Sequence, residues 1–304
     1  MRMREVSHKF PGTAFLPDRE LRARVRTLLR KRHTCASAGR MTITTKERIK
    51  TVLGSVSGST GIYGRAFRSK LLIVAFHRVN DAMPEDGLTC SSAKFERFCQ
   101  FFLEHFRVVP LSEQITGCRE SQDMGGTLSI TFDDGYRDNF EVAAPILRRH
   151  KLPATFFLAT DFIASDRAAP WDHVLVRRPE WMDWDQVRRL HQEGHAIGAH
   201  TMSHIDLGKE SPETVRAELA GCRSRLEREL SAPVSLFAYP FGGRHNISPA
   251  SLRLVQEAGF ECSLGCYGGV NPAVADPFQL TRIGIGGWFS TPHQFGFELM
   301  AGRG

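Results

Sequence analysis

From residue 70 onward the chain switches repeatedly between two hydrophobic periods. Residues 71–76 form an uninterrupted apolar run of strand length that stops at His77, the pattern of a strand covered on both faces. Residues 92–106 instead place Phe95, Phe98, Phe102 and Phe106 three or four apart, which predicts a helix laying a Phe stripe on the core. The same alternation predicts strands at 107–110, 128–132, 154–158, 196–199, 235–239, 262–264 and 280–285. Helices are expected at 139–150, 184–194, 212–230 and 249–259, with Pro212 and Pro249 in first turns. This rhythm predicts an α/β fold, a parallel sheet with helical crossovers closed into a distorted (β/α) barrel of about seven strands. Residues 161–180 read as an excursion over the barrel mouth.

Composition leaves that picture intact. A chain of 304 residues, 41% hydrophobic and 24% charged, can bury one barrel-sized core. The expected division is a basic extension over 1–69 and a barrel domain over 70–304. Met41 is a candidate start, followed by a short helix and loop over 42–68. Much of the net charge of +7 falls in the extension, at Arg22, Arg24, Arg26, Arg30, Lys31 and Arg32, without aromatic or motif context. It reads as a solvated face rather than a nucleic-acid patch. Seven scattered cysteines match neither a zinc ribbon nor a disulfide framework. No apolar run reaches the roughly 18 residues of a membrane span or the form of a signal peptide, which points to a cytoplasmic or peripheral protein.

Candidate chemistry sits where strands end. In a parallel barrel, polar residues at carboxyl ends of strands converge on one mouth. His77, Asp133, Asp134, His200 and the Tyr239-Pro240-Phe241-Gly242 turn each directly follow an apolar strand. Adjacent carboxylates repel unless a cation or proton relieves them, so Asp133-Asp134 fits one base and one ligand. His200 and His204, four apart, could be aimed at the same ion by one helical turn. One carboxylate and two imidazoles leave coordination positions open, the layout of a catalytic metal site.

These segments resemble the polysaccharide deacetylases that share the NodB homology domain, carbohydrate esterase family four. Thr131-Phe132-Asp133-Asp134-Gly135 is similar to the first family motif, and His200-Thr201-Met202-Ser203-His204 to the second. Leu152 to Phe157, Gly194 to His200 and Phe237 to Gly242 extend the likeness over most of 71–285. The resemblance implies that Asp133 is the general base and that Asp134, His200 and His204 hold a divalent metal, Zn2+ first, with Co2+, Ni2+ or Mn2+ as alternatives. It also implies that the backbone N–H of Phe241 faces the oxyanion. Where the family has an Arg, this chain has Ala238; Arg282 is the candidate replacement.

The family's C-terminal L-x-H motif, which carries its general acid, has no counterpart at the end of 280–285. Phe76-His77-Arg78-Val79 instead resembles the Y-H-R-[IV] stretch of a branch related to biofilm poly-N-acetylglucosamine deacetylases, in which that strand has moved to the front. His77 is therefore the expected acid. Trp171, Asp172 and Tyr239 are expected to line the mouth, while His105, His150, His191, His195 and His245 read as surface or capping residues. The implied partner is an acetylated carbohydrate: an exopolysaccharide, a lipopolysaccharide precursor or a chitooligosaccharide, losing N-acetyl or O-acetyl groups. The rivals are a deacetylase of a small amide or glycolipid, and a carbohydrate-binding barrel that has lost activity.

Overall fold

In the computed structural model the described residues are 45–59, 62–173, 175 and 178–302. The Arg-rich segment, Met41 and Cys35 lie outside them. Two helices open the described chain, α1 (Thr45–Ser59) and α2 (Ile62–Ala66). Helix α1 lies against the C-terminal helix α9 (Pro292–Met300) through Lys50–Glu298 at 2.6 Å and Thr51–Thr291 at 2.9 Å. Gly54 permits the close approach, since a Cβ there would stand 2.0 Å from the His293 carbonyl oxygen. Tyr63 and Phe67 are buried in the main core, so part of the expected extension packs with the barrel.

Strand β1 (Lys70–Phe76) is central. It pairs in parallel with β5 (Thr127–Phe132), with Phe76 opposite Phe132. Beyond β5 come β6 (Thr155–Leu158) and β7 (Ala196–Ala199), again parallel. Short strands complete the edges: β4 (Arg107–Val108) on β5, and β8 (Asn271–Pro272) and β9 (Ile283–Gly284) on β1. Two others, β2 (Arg78–Val79) and β3 (Thr89–Cys90), pair separately just past His77.

The continuous apolar run of β1 has the cause its pattern predicts. Leu72, Val74 and Phe76 face the helical layer, whereas Leu71 and Ile73 face a second cluster with Phe157, Leu236 and Leu264. Helix α3 (Ser92–His105) brings its stripe onto β1 and β5: Phe95 meets Phe76 at 5.0 Å and Phe132 at 5.5 Å, both edge to face. Each such fully buried ring contributes about 1.5–3 kcal/mol.

The far side of the ring departs from the expectation. Residues 235–239 and 262–264 make only single bridges, Ala199 to Phe237, Ala238 to Leu264 and Leu264 to Leu280. Of 280–285, only Ile283–Gly284 is a strand. Pro240 and the glycines at 242, 243 and 265 end the extended runs within a residue or two. The bridges still carry the parallel ring from β7 round to β9 and back to β1, the distorted barrel the pattern implied. Its outer helices include α4 (Leu111–Arg119), α5 (Ala144–His150), α6 (Trp184–Gln192), α7 (Pro212–Leu230) and α8 (Pro249–Glu257). Helices α4 and α9 were not foreseen. Residues 139–143, expected as α-helix, form a wider π turn before α5.

Candidate metal centre at the carboxyl ends of the strands

A cavity of about 260 Å³ opens at the carboxyl ends of the strands, lined by His77, Asp133, Asp134, Trp171, His200, His204, Tyr239, Phe241 and Arg282. Leu88 and Cys266 complete the lining; neither carried a sequence signal. Asp172 does not join it. Its carboxylate is buried and turned to Arg78 and Tyr136, because an uncompensated buried guanidinium would cost far more than a lost contact at the mouth.

Asp134, His200 and His204 bring ligand atoms within 4.8 Å of one another. Asp134 Oδ1 stands 3.5 Å from His200 Nε2 and 3.2 Å from His204 Nε2. No well-formed hydrogen bond satisfies that oxygen although it is buried. A buried anionic oxygen facing two imidazole nitrogens is the donor set a divalent cation satisfies. His200 Nδ1 lies 2.8 Å from the Ala238 carbonyl and donates to it, which leaves Nε2 as the bare lone pair toward Asp134. Burial pushes the His200 pKa down to about 4, so its ring is neutral at neutral pH, as a ligand must be. Burial alone would raise the Asp134 carboxyl, but the His204 ring beside it, with His77 further off, outweighs that and holds it far below the ordinary range.

The pairing of the two histidines does not come from a helical turn. Residues 200–204 are irregular, with Thr201 at φ 63° and His204 at φ 58°. Glu218 of α7 holds this turn: its Oε2 accepts from the Met202 and Ser203 backbones at 2.8 and 2.9 Å, and its Oε1 from Ser203 Oγ at 2.5 Å. Sequence reading missed Glu218. Its signal was a carboxylate in the apolar stripe Val215, Leu219, Cys222 and Leu226. Asp134 at φ 74° and Phe241 at φ 62° are left-handed too, so half of the eight described non-glycine residues with positive φ surround this cavity. Each costs about 1–3 kcal/mol and persists only where the surroundings dictate it.

Asp133 faces the same cavity with different partners. Arg282, fully buried, donates from Nη1 to Oδ1 at 2.6 Å and from Nη2 to Oδ2 at 2.8 Å. Arg282 Nη1 also reaches Thr131 Oγ1 at 3.1 Å, and its Nε reaches the Gly265 carbonyl at 3.2 Å. Burial would raise the Asp133 pKa, but the paired guanidinium outweighs it and holds the carboxyl below its ordinary value. The other oxygen, Oδ2, stands 3.9 Å from His77 Nε2, and the His77 side chain is about one-fifth exposed. His195, expected at the surface, is buried at the opposite, amino end of β7, its ring 5.5 Å from that of Phe156.

Residues 121–263 match the family model described as polysaccharide deacetylase. Asp133, Asp134, His200, His204, Tyr239 and Phe241 fall inside that span; His77 and Arg282 fall outside it. Over 130 residues the chain is 30% identical to the chitooligosaccharide deacetylase of Bradyrhizobium sp. (strain ANU 289), covering 39% of this chain and 52% of the relative. Among solved structures, the Streptococcus pyogenes deacetylase PplD in complex with acetate superposes with a TM-score of 0.64 at 21% identity, covering 76% of this chain and 98% of that one. IcaB from Ammonifex degensii gives 0.63 at 20% identity, with 78% and 98% covered. These two show a shared fold.

Proposed function

We propose, from the match of residues 121–263 to the polysaccharide deacetylase family model, that the chain is a metal-dependent hydrolase removing N-acetyl groups from a carbohydrate. The observation that carries this is the pairing of two carboxylates in contrasting settings, Asp134 facing two imidazoles and Asp133 clamped by Arg282.

Asp134, His200 and His204 would hold the ion, zinc by family resemblance. When bound there, a divalent cation supplies Lewis acidity, polarising an acetyl carbonyl and acidifying a water. The remaining work falls to the protein. Asp133, kept ionised by Arg282, accepts the proton of the attacking water. Arg282 fixes the carboxylate plane through its two-pronged contact and so does the task the missing Arg at Ala238 would have done. That contact weighs against reading the barrel as an inactive binding module. The backbone N–H of Phe241, in its left-handed turn, is assigned to the developing oxyanion.

His77, whose Nε2 lies 3.9 Å from Asp133 Oδ2 at the cavity wall, is assigned the proton that lets the amine depart. An amide's nitrogen must be protonated to leave, which favours N-acetyl over O-acetyl substrates. The cavity, at about 260 Å³, has room for one acetamido group and its sugar ring at the strand ends. Chitooligosaccharides and N-acetylglucosamine polymers are accordingly the first substrates to try. Acetate release from a panel of N- and O-acetylated oligosaccharides, with and without chelator, tests the reading. Purified protein that binds no divalent ion and releases no acetate would overturn it.

A further inference from the structure

His200 and His204 are supported unequally. The ring of His200 is fixed by the hydrogen bond from Nδ1 to the Ala238 carbonyl. Nδ1 of His204 is equally buried but has no hydrogen-bond partner among the described residues. What orients His204 is aromatic packing: Trp171 at 4.2 Å between ring centroids and 48° between planes, and Phe241 at 4.8 Å and 74°. Phe241 is more than half exposed, so Trp171 is the firmer wall.

Trp171 lies in the excursion over the mouth, a place where a side chain would ordinarily be mobile. Here its indole Nε1 donates to Tyr136 Oη at 2.8 Å, and Tyr136 Oη in turn donates to Asp172 Oδ2 at 2.9 Å. Asp172 Oδ1 is ion-paired with Arg78, a residue only 1% exposed. Arg78 is itself held by Thr89 Oγ1 at 2.8 Å and Asp86 Oδ2 at 3.0 Å, and its guanidinium carbon sits 5.2 Å from the centroid of the Tyr136 ring. The Trp181 ring stacks on Tyr136 at 4.5 Å. Every polar atom in this chain of contacts is directed, and the chain ends on an imidazole whose Nδ1 has no hydrogen-bond partner among the described residues.

We propose that the buried Arg78–Asp172–Tyr136 network is a positioning device for His204, acting through Trp171, and that it sets the affinity of the site for its divalent cation. Trp171 replaces by packing the outer hydrogen bond that a ligating histidine normally makes. Arg78, Asp172 and Tyr136 are positioning residues; none lines the cavity. The inference rests on the reading that Asp134, His200 and His204 hold the ion.

Metal-free protein titrated with Co2+, and with Zn2+ against a chromophoric chelator, tests it directly. Tyr136→Phe keeps the ring stack and removes only the hydroxyl, so it folds under conditions where Asp172→Ala, which leaves buried Arg78 without its partner, would not; Asp172→Asn is the second conservative variant. Tyr136→Phe and Trp171→Ala should each weaken cation affinity about 10- to 100-fold, the scale of outer-shell losses. Combined, they should bind no more weakly than Trp171→Ala alone, because the hydroxyl acts only through the indole. A Tyr136→Phe affinity within about twofold of wild type, or losses that multiply in the double variant, would overturn the network's role. Wild-type protein that binds neither ion overturns the metal reading and the inference together, an outcome distinct from both.

Discussion

Replacing Arg282 with Met leaves Asp133 fully buried without its cation. Losing one partner of a buried, doubly hydrogen-bonded pair costs about 3–5 kcal/mol as long as the remaining charge stays ionised. With Arg282 wholly inaccessible, solvent screening gives little relief. The carboxyl escapes by taking up a proton, and at about 1.36 kcal/mol per pKa unit its pKa should climb by roughly two to four units. The sign follows from the wild-type direction: Asp133 is held below its ordinary 3.8, so its contribution to stability is complete above that value and is lost as pH falls below it. In Arg282→Met the base is instead protonated well above pH 4. The acid limb of kcat/KM for acetate release, measured from pH 4 to 9, should therefore move up by about two to four units. Thermal melts of the variant should lie far below wild type at neutral pH and converge with it in acid. Arg282→Lys, which restores charge without the fork, should fall between the two. An acid limb that stays in place, in a variant that is folded and retains its metal, would refute the claim that Arg282 sets the state of Asp133.

Removing the cation with chelator should abolish acetate release, and Co2+ should restore it to wild type but not to His200→Ala, whose ligand set is incomplete; restored activity in that variant would count against the assigned ligands. His77→Ala should cost about 10²–10⁴-fold in kcat on an N-acetyl substrate and far less on an aryl acetate whose leaving group needs no proton. Equal losses on both would remove His77 from the acid's role. Burial lifts the Asp138 pKa to about 7 despite the Asn80, Val79 and Asn139 donors facing it. The folded chain then binds more protons than the unfolded one between about pH 4 and 7, so stability falls across that window as pH rises. Denaturant midpoints of Asp138→Asn should show a flatter pH dependence than wild type; an identical slope would place the titration elsewhere.

How much of this was legible in the sequence follows from the range of each interaction. The strand ends that deliver His77, Asp133, Asp134 and His200 were readable because an apolar run and the polar residue ending it are adjacent in the chain. The Phe stripe of α3 was readable for the same local reason. The segments that close the ring were overread as strands: their composition is apolar, but prolines and glycines limit them to isolated bridges and one two-residue strand.

The outcome for Asp172 shows where local reading stops. Beside Trp171 in an excursion over the mouth, an acidic residue looks like a substrate contact, and nothing nearby in sequence argues otherwise. Its partner Arg78 is 94 residues away, at the start of a two-residue strand, and only closure of the barrel brings them together. Arg282 and Asp133 are 149 residues apart; the absence of a basic residue at Ala238 showed that a partner was needed, and the bridge that joins β9 to β1 supplies it. Both buried guanidiniums thus do the same physical job. Each neutralises a carboxylate buried away from water, one at a strand end and one in the excursion over the mouth, and the difference lies in what the carboxylate faces. Asp133 is left open to the cavity and can exchange a proton, whereas Asp172 is closed off behind Tyr136 and can only hold its neighbour in place.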